Sequence, residues 1–63
     1  MEAHQERVVT EKAELDHKLD RLNAFIGGTI HAGLPEAEQE RMARQAVKMK
    51  EYSDILAERI AAF

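Results

Sequence analysis

The stretch Met42-Ala43-Arg44-Gln45-Ala46-Val47-Lys48-Met49-Lys50-Glu51-Tyr52-Ser53-Asp54-Ile55-Leu56-Ala57-Glu58-Arg59-Ile60-Ala61-Ala62-Phe63 sets the architecture of this chain. Met42, Ala46, Met49, Ser53, Leu56, Ile60 and Phe63 recur at alternating steps of four and three residues. On a helix that spacing draws one apolar stripe, a surface built to pack on another helix. Val47, Tyr52 and Ile55 lie off the strict stripe and widen the apolar area. Ala46 and Ser53, small residues on the stripe, allow close helix approach or leave a gap for a guest.

Working toward the N-terminus, the pattern breaks at Gly27-Gly28-Thr29-Ile30-His31-Ala32-Gly33-Leu34-Pro35, which holds all three glycines and the one proline. Gly27 or Gly28 suits a left-handed position just past a helix end. Pro35 suits the first turn of the next helix, where its missing N–H costs nothing. Glu36 and Glu38 follow, where negative charge meets the positive end of the helix dipole. Before the break, Val8, Leu15, Leu19, Leu22 and Ile26 form a second, narrower stripe, with Lys12 interrupting it and Gln5 on its N-terminal extension. The expectation is an all-α chain with one domain over 1–63: helix over about 3–26, loop over 27–34, helix over about 35–62. Near-equal helices and a short connection predict an antiparallel two-helix hairpin. The connection also permits a straighter arrangement with swapped helices. Phe63 on the stripe predicts a docked last turn.

A chain of 63 residues has room for a single small core, which seldom contributes more than about 3–5 kcal/mol. Small domains add disulfides, metals or partners, and this one has no cysteine. An apolar surface wider than one hairpin covers predicts a homo-oligomeric helical bundle, a dimer or a tetramer. Nine basic and twelve acidic residues give a net charge of −3, against non-specific binding of DNA or RNA. No apolar run approaches the roughly 20 residues of a membrane span, and the N-terminus lacks signal-peptide character. A soluble cytosolic protein is expected.

No enzyme motif or cofactor fingerprint is present. Gly27-Gly28 follows a helix and lacks the Gly-Lys of a phosphate loop. Ser53 has no histidine at a useful helical spacing. His17 lies near Glu14, Asp16 and Asp20 but has no second histidine at i+3 or i+4, so solvated surface charge is the better reading than a metal site. His4 sits near a fraying end, and His31 reads as an exposed loop residue. Glu14 and Lys18 are spaced for an i,i+4 pair.

Two constellations hold alternatives. Lys12, at a core position, is either a register-setting or snorkelling residue, or an ammonium lining a polar cavity between subunits with Arg7 nearby. Gln45, Tyr52 and Arg59 repeat every seven residues beside the stripe. They are either an interface flank or a nucleotide site: an aromatic face to stack a base, an arginine for phosphate, an amide for a base edge.

The segments His4–Val9, Glu11–Leu15 and Leu22–Ile26, with Gln45, Met49–Leu56 and Arg59-Ile60, resemble a family of small bacteriophage proteins first labelled after a crAss-like phage open reading frame. The resemblance covers nearly all of the chain except the central loop. Small all-helical phage proteins of this kind include oligomeric sponges that sequester the cyclic nucleotides of bacterial CBASS immunity. The resemblance implies a non-catalytic immune-evasion protein acting in the cytoplasm of the infected host. On that reading Arg7, Lys12, Gln45, Tyr52, Ser53 and Arg59 are the matching positions able to contact a cyclic dinucleotide. The competing expectation is an adaptor or inhibitor that binds a host protein through its helical surface.

Overall fold

A computed structural model describes residues 1–63. Two long helices, α1 (Ala3–Ile26) and α3 (Glu36–Ala61), pack antiparallel around a connection holding one helical turn, α2 (Thr29–Ala32). The hairpin is therefore closed within one chain. Both long helices are rich in Ala, Leu, Glu, Lys and Arg, good helix formers, and hold no internal glycine or proline. At the start of α1 the Glu2 backbone N–H donates to Gln5 Oε1 at 2.9 Å. Gln5, on the extension of the stripe, thus satisfies an end of the helix instead of packing.

The corner differs from expectation in three places. Neither Gly27 nor Gly28 is left-handed: Gly27 stays helical (φ −79°, ψ −2°) and Gly28 turns extended (φ −96°, ψ 172°). A Cβ at Gly28 would stand 3.3 Å from the Phe25 carbonyl oxygen, so close backbone approach is what favours glycine there. Pro35 precedes the first turn as the cap residue, its carbonyl accepting from the N–H groups of Glu38 (2.9 Å) and Gln39 (3.1 Å). The connection is ordered by a side chain as well. Gln39 Nε2 donates to the carbonyls of Leu34 (2.9 Å) and Ala32 (3.4 Å). His31 is half-buried, not exposed, its ring edge-on to Phe25 at 6.3 Å.

The core is thin. Val8, Leu19 and Leu56 are its buried apolar residues, with Leu56 fully enclosed, and Ser53 is buried among them. Leu15, Leu22, Ile26, Met42, Ala46, Met49 and Ile60 are half-buried. Phe63 lies beyond the last turn of α3 and leaves 43% of its surface exposed, so it does not dock as its place on the stripe suggested. No helix is long and apolar enough to cross a membrane.

Candidate functional site

Lys12 and Ser53 face each other across the hairpin. The Lys12 ammonium donates to Asp16 Oδ2 at 2.7 Å and to Ser53 Oγ at 3.1 Å, and the Ser53 hydroxyl donates to Asp16 Oδ1. The hydrogen bonds from Lys12 and then Ser53 hold the Asp16 carboxyl below the ordinary value of 3.8, and the nearby charge of Lys50 acts in the same direction. Lys12 thus neither snorkels freely nor sits in an open cavity: its side chain is 27% exposed and its amine is bonded to its own hairpin.

This contact fixes which way every other residue faces. In an antiparallel pair the residues following Lys12 and Ser53 by one turn, Asp16 and Ala57, share an edge with Asn23 and Lys50. A groove of about 330 Å³ runs along that edge, lined by Leu19, Asn23, Ala46, Val47, Lys50 and Glu51. Gln45, Tyr52 and Arg59 belong to the opposite edge, together with Glu11, Lys18 and Phe25 of α1. The six residues singled out as ligand contacts therefore divide. Lys12 and Ser53 point to one edge, Gln45, Tyr52 and Arg59 to the other, and Arg7 to the outer side of α1.

The two edges carry opposite charge. The helical periodicity puts Arg7, Lys18, Arg21, Arg41, Lys48 and Arg59 on the Tyr52 side, with only Glu11, Glu14 and Glu38 against them. The other side holds Glu6, Asp16, Asp20, Glu36, Glu40 and Asp54, with Lys12 and Lys50 opposing them. A chain of net charge −3 thus presents one basic edge. On that edge Arg41 pairs with Glu38 at 3.0 Å, and Lys48 reaches Glu51 on the outer side of α3 at 3.5 Å. Arg7, Lys18, Arg21 and Arg59 have no ion-pair partner, so the Glu14–Lys18 pair suggested by spacing does not form.

Tyr52 leaves 43% of its surface exposed on this edge, and Gln45 turns its amide toward Met49 Sδ at 3.8 Å. None of the depressions on the single chain is lined by Gln45, Tyr52 or Arg59. Arg7 lines a shallow one on the outer face of α1, beside Glu6, Glu11 and Glu14. Three carboxylates around one guanidinium make a poor phosphate site. His17 gains no companions: nowhere do three metal-ligating side chains converge. The division of the residues between edges was readable only once the pairing of Lys12 with Ser53 was known. The bonds from Lys12 and Ser53 to Asp16 escaped the sequence reading for that reason.

The Sequestin family model matches residues 2–62. The chain is also 35% identical over 63 residues to an uncharacterized 7.5 kDa protein from the denB-rIIB intergenic region of Enterobacteria phage T4, covering 100% of this chain and 98% of the phage protein. No solved structure matches. The chain belongs to the Sequestin family, and its likeness to the phage protein places it among small phage proteins.

Proposed function

We propose that this Sequestin-family chain is a phage-encoded immune-evasion protein that sequesters a cyclic (di)nucleotide signal, without catalysis, in the cytoplasm of the infected host. The observation that carries the reading is the basic edge centred on Tyr52 in a chain that is acidic overall. A cyclic dinucleotide offers two flat bases and two phosphodiesters. Tyr52 supplies a face for a base, Arg59 an unpaired guanidinium for a phosphate, and Gln45 an amide for a base edge. The family's name, which speaks of sequestering, supports the same reading.

The site is completed by a second copy. Tyr52 and Arg59 lie on an open edge, and small ligands bind in concave places that enclose most of their surface. The dimensions of the single chain support association. Its accessible surface is 4712 Å², where a compact globule of 7.2 kDa exposes about 4,100 Å². Its radius of gyration is 14.5 Å, against about 11 Å for a compact chain of this length. In such an assembly Lys12 and Ser53 of one subunit reach the ligand only if their edge meets the Tyr52 edge of the next.

A thermal-shift panel of cyclic di- and trinucleotides and ADP-ribose derivatives, with the mass in solution measured alongside, tests the reading. A ligand that binds only the folded form raises the melting temperature by mass action. The intact ligand should be recovered after heat denaturation, since no turnover is proposed. Tyr52→Ala with Arg59→Ala should abolish the shift and leave the assembly intact. A folded double variant with undiminished affinity rejects the site. A well-folded protein that responds to nothing in the panel points instead to a protein-binding adaptor, for which the exposed Val47 and Ile55 of α3 offer an apolar surface.

A further inference from the structure

We propose that two copies of this chain pair through an exposed stripe of α3, antiparallel about a two-fold axis at Glu51, and that the pairing sets their two Tyr52 rings side by side over one cyclic dinucleotide. The shared ligand rests on the nucleotide-binding reading. The pairing stands on α3 alone.

The sequence of α3 supplies the first argument. Arg44, Val47, Glu51, Ile55 and Glu58 recur at steps of three and four residues and form a second stripe, off the seam that packs on α1. All five are exposed. The stripe is self-complementary. Val47 and Ile55 stand four residues on either side of Glu51, and Arg44 and Glu58 stand seven on either side. An antiparallel copy turned about Glu51 therefore brings its Ile55 level with Val47 and its Glu58 level with Arg44. Two apolar contacts and two ion pairs result. A parallel copy sets Arg44 on Arg44 and Glu58 on Glu58, so charge selects the antiparallel pair. Glu51 meets its own copy in either arrangement, and the Lys48 ammonium 3.5 Å from it offsets that charge. Neither Arg44 nor Glu58 has an ion-pair partner inside the hairpin, so both are free for another chain.

Shape supplies the second. A depression of about 400 Å³ beside this stripe is lined by Glu40, Ala43, Arg44, Val47 and Lys48. Arg44, Val47, Lys48 and Glu51 are spaced i, i+3, i+4 and i+7, the four positions that seat one side chain of a facing helix. Ile55 of the other copy arrives at their level. It is 54% exposed on the single chain and has the apolar character such a seat takes.

The consequence falls on the site. A two-fold axis across two antiparallel helices sets like flanks together. Tyr52 follows Glu51 directly, so the two rings share one flank and differ by about 3 Å in level, on helix axes about 8–10 Å apart. An Arg59 lies about 10 Å beyond each ring, toward opposite ends of the pair. Two rings and two guanidiniums match the two bases and two phosphodiesters of the ligand.

Charge exchange tests the pairing. Arg44→Glu and Glu58→Arg each set like charges together twice and should raise the dissociation constant of the pair about tenfold or more, read by light scattering across a concentration series. Circular dichroism checks that both remain folded. Mixing the two variants in equal amounts should restore the mass of the pair, because each then meets its opposite at both contacts. Glu51→Cys, in a chain without cysteine, tests the axis without altering those contacts. Under mild oxidation it should join two chains, since facing positions of packed helices lie within disulfide reach, whereas Glu14→Cys on α1 should not. Single variants of wild-type mass, a mixture that stays apart, or an absent Glu51→Cys cross-link each overturn the pairing. Wild-type protein that is monomeric throughout overturns it too and leaves the stripe to a different protein. Calorimetry with cyclic di-AMP, cyclic di-GMP and cyclic GMP–AMP tests the shared ligand, with one bound per two chains expected. One per chain overturns the sharing and leaves the pairing intact. A proven pair that takes none of the three overturns the nucleotide site alone.

Discussion

Lys12 Nζ stands 3.1 Å from Ser53 Oγ, and the same hydroxyl donates to Asp16. These are the only side-chain hydrogen bonds joining the two long helices. The buried side chains around them, Val8, Leu19 and Leu56, are apolar, and apolar contacts tolerate a shift of one helix along the other far better than a hydrogen bond does. A polar cluster at a seam position is the best-attested device for fixing register.

Ser53→Ala removes the bridge and leaves the Lys12–Asp16 pair. Ser53 is 4% exposed, so water does not replace the lost partner. The expected cost is about 1 kcal/mol, read as a fall in melting temperature of about 4–8 °C for a domain of this size. An unchanged melting temperature would show that the hydroxyl is incidental.

The same cluster responds to acid. Asp16 is held below its ordinary value of 3.8 in the folded chain, first by the hydrogen bond from Lys12 and then by that from Ser53. A carboxyl depressed by folding contributes stability above its unfolded value and loses it as pH falls through the folded one. Wild type should therefore exceed Asp16→Asn in melting temperature near neutrality. The gap should close below about pH 4. Comparing the two proteins cancels the contribution of the other carboxylates. A gap that persists undiminished at pH 2 rules the linkage out.

Leu56 is the one side chain enclosed on every side. Leu56→Ala removes about 2–5 kcal/mol, comparable to the whole core of a lone chain this small. Far-UV circular dichroism should report extensive loss of helix at micromolar concentration. A variant with native helicity and melting temperature would mean that the hairpin core is not what holds the chain.

The hairpin was legible because its signals are local. Heptad spacing reports the buried face of each helix, and the cluster of Gly27, Gly28, Gly33 and Pro35 reports the break. Conformations inside the break were not, since Gly28 is needed for an approach to the Phe25 carbonyl rather than for a left-handed turn. The single turn at Thr29–Ala32 and its clamp by Gln39 depend on carbonyls that only the folded corner brings together. For the candidate site, periodicity correctly grouped Gln45, Tyr52 and Arg59, which share one helix. It could not say which edge of α1 they face, because that depends on the register between helices. Lys12 was noticed for breaking a pattern, while its partners Asp16 and Ser53 are brought to it only by the folded hairpin.

Val47 and Ile55 of α3 leave 55% and 54% of their surface exposed. Neither contributes to the hairpin core, so replacing both with serine should leave helicity within each chain intact. A stable homodimer of ordinary size buries about 800 Å² per partner, roughly a sixth of the 4712 Å² that this chain exposes. Ile55 follows Tyr52 by three residues and precedes Arg59 by four, so an interface that covers it adjoins the Tyr52 edge. Val47→Ser with Ile55→Ser is therefore expected to lower the mass in solution toward the 7.2 kDa of one chain, as read by light scattering across a concentration series. An assembly of unchanged mass would show that neither side chain holds the interface. A wild-type protein that is monomeric throughout the series would leave that edge open and remove the second subunit from the proposed site.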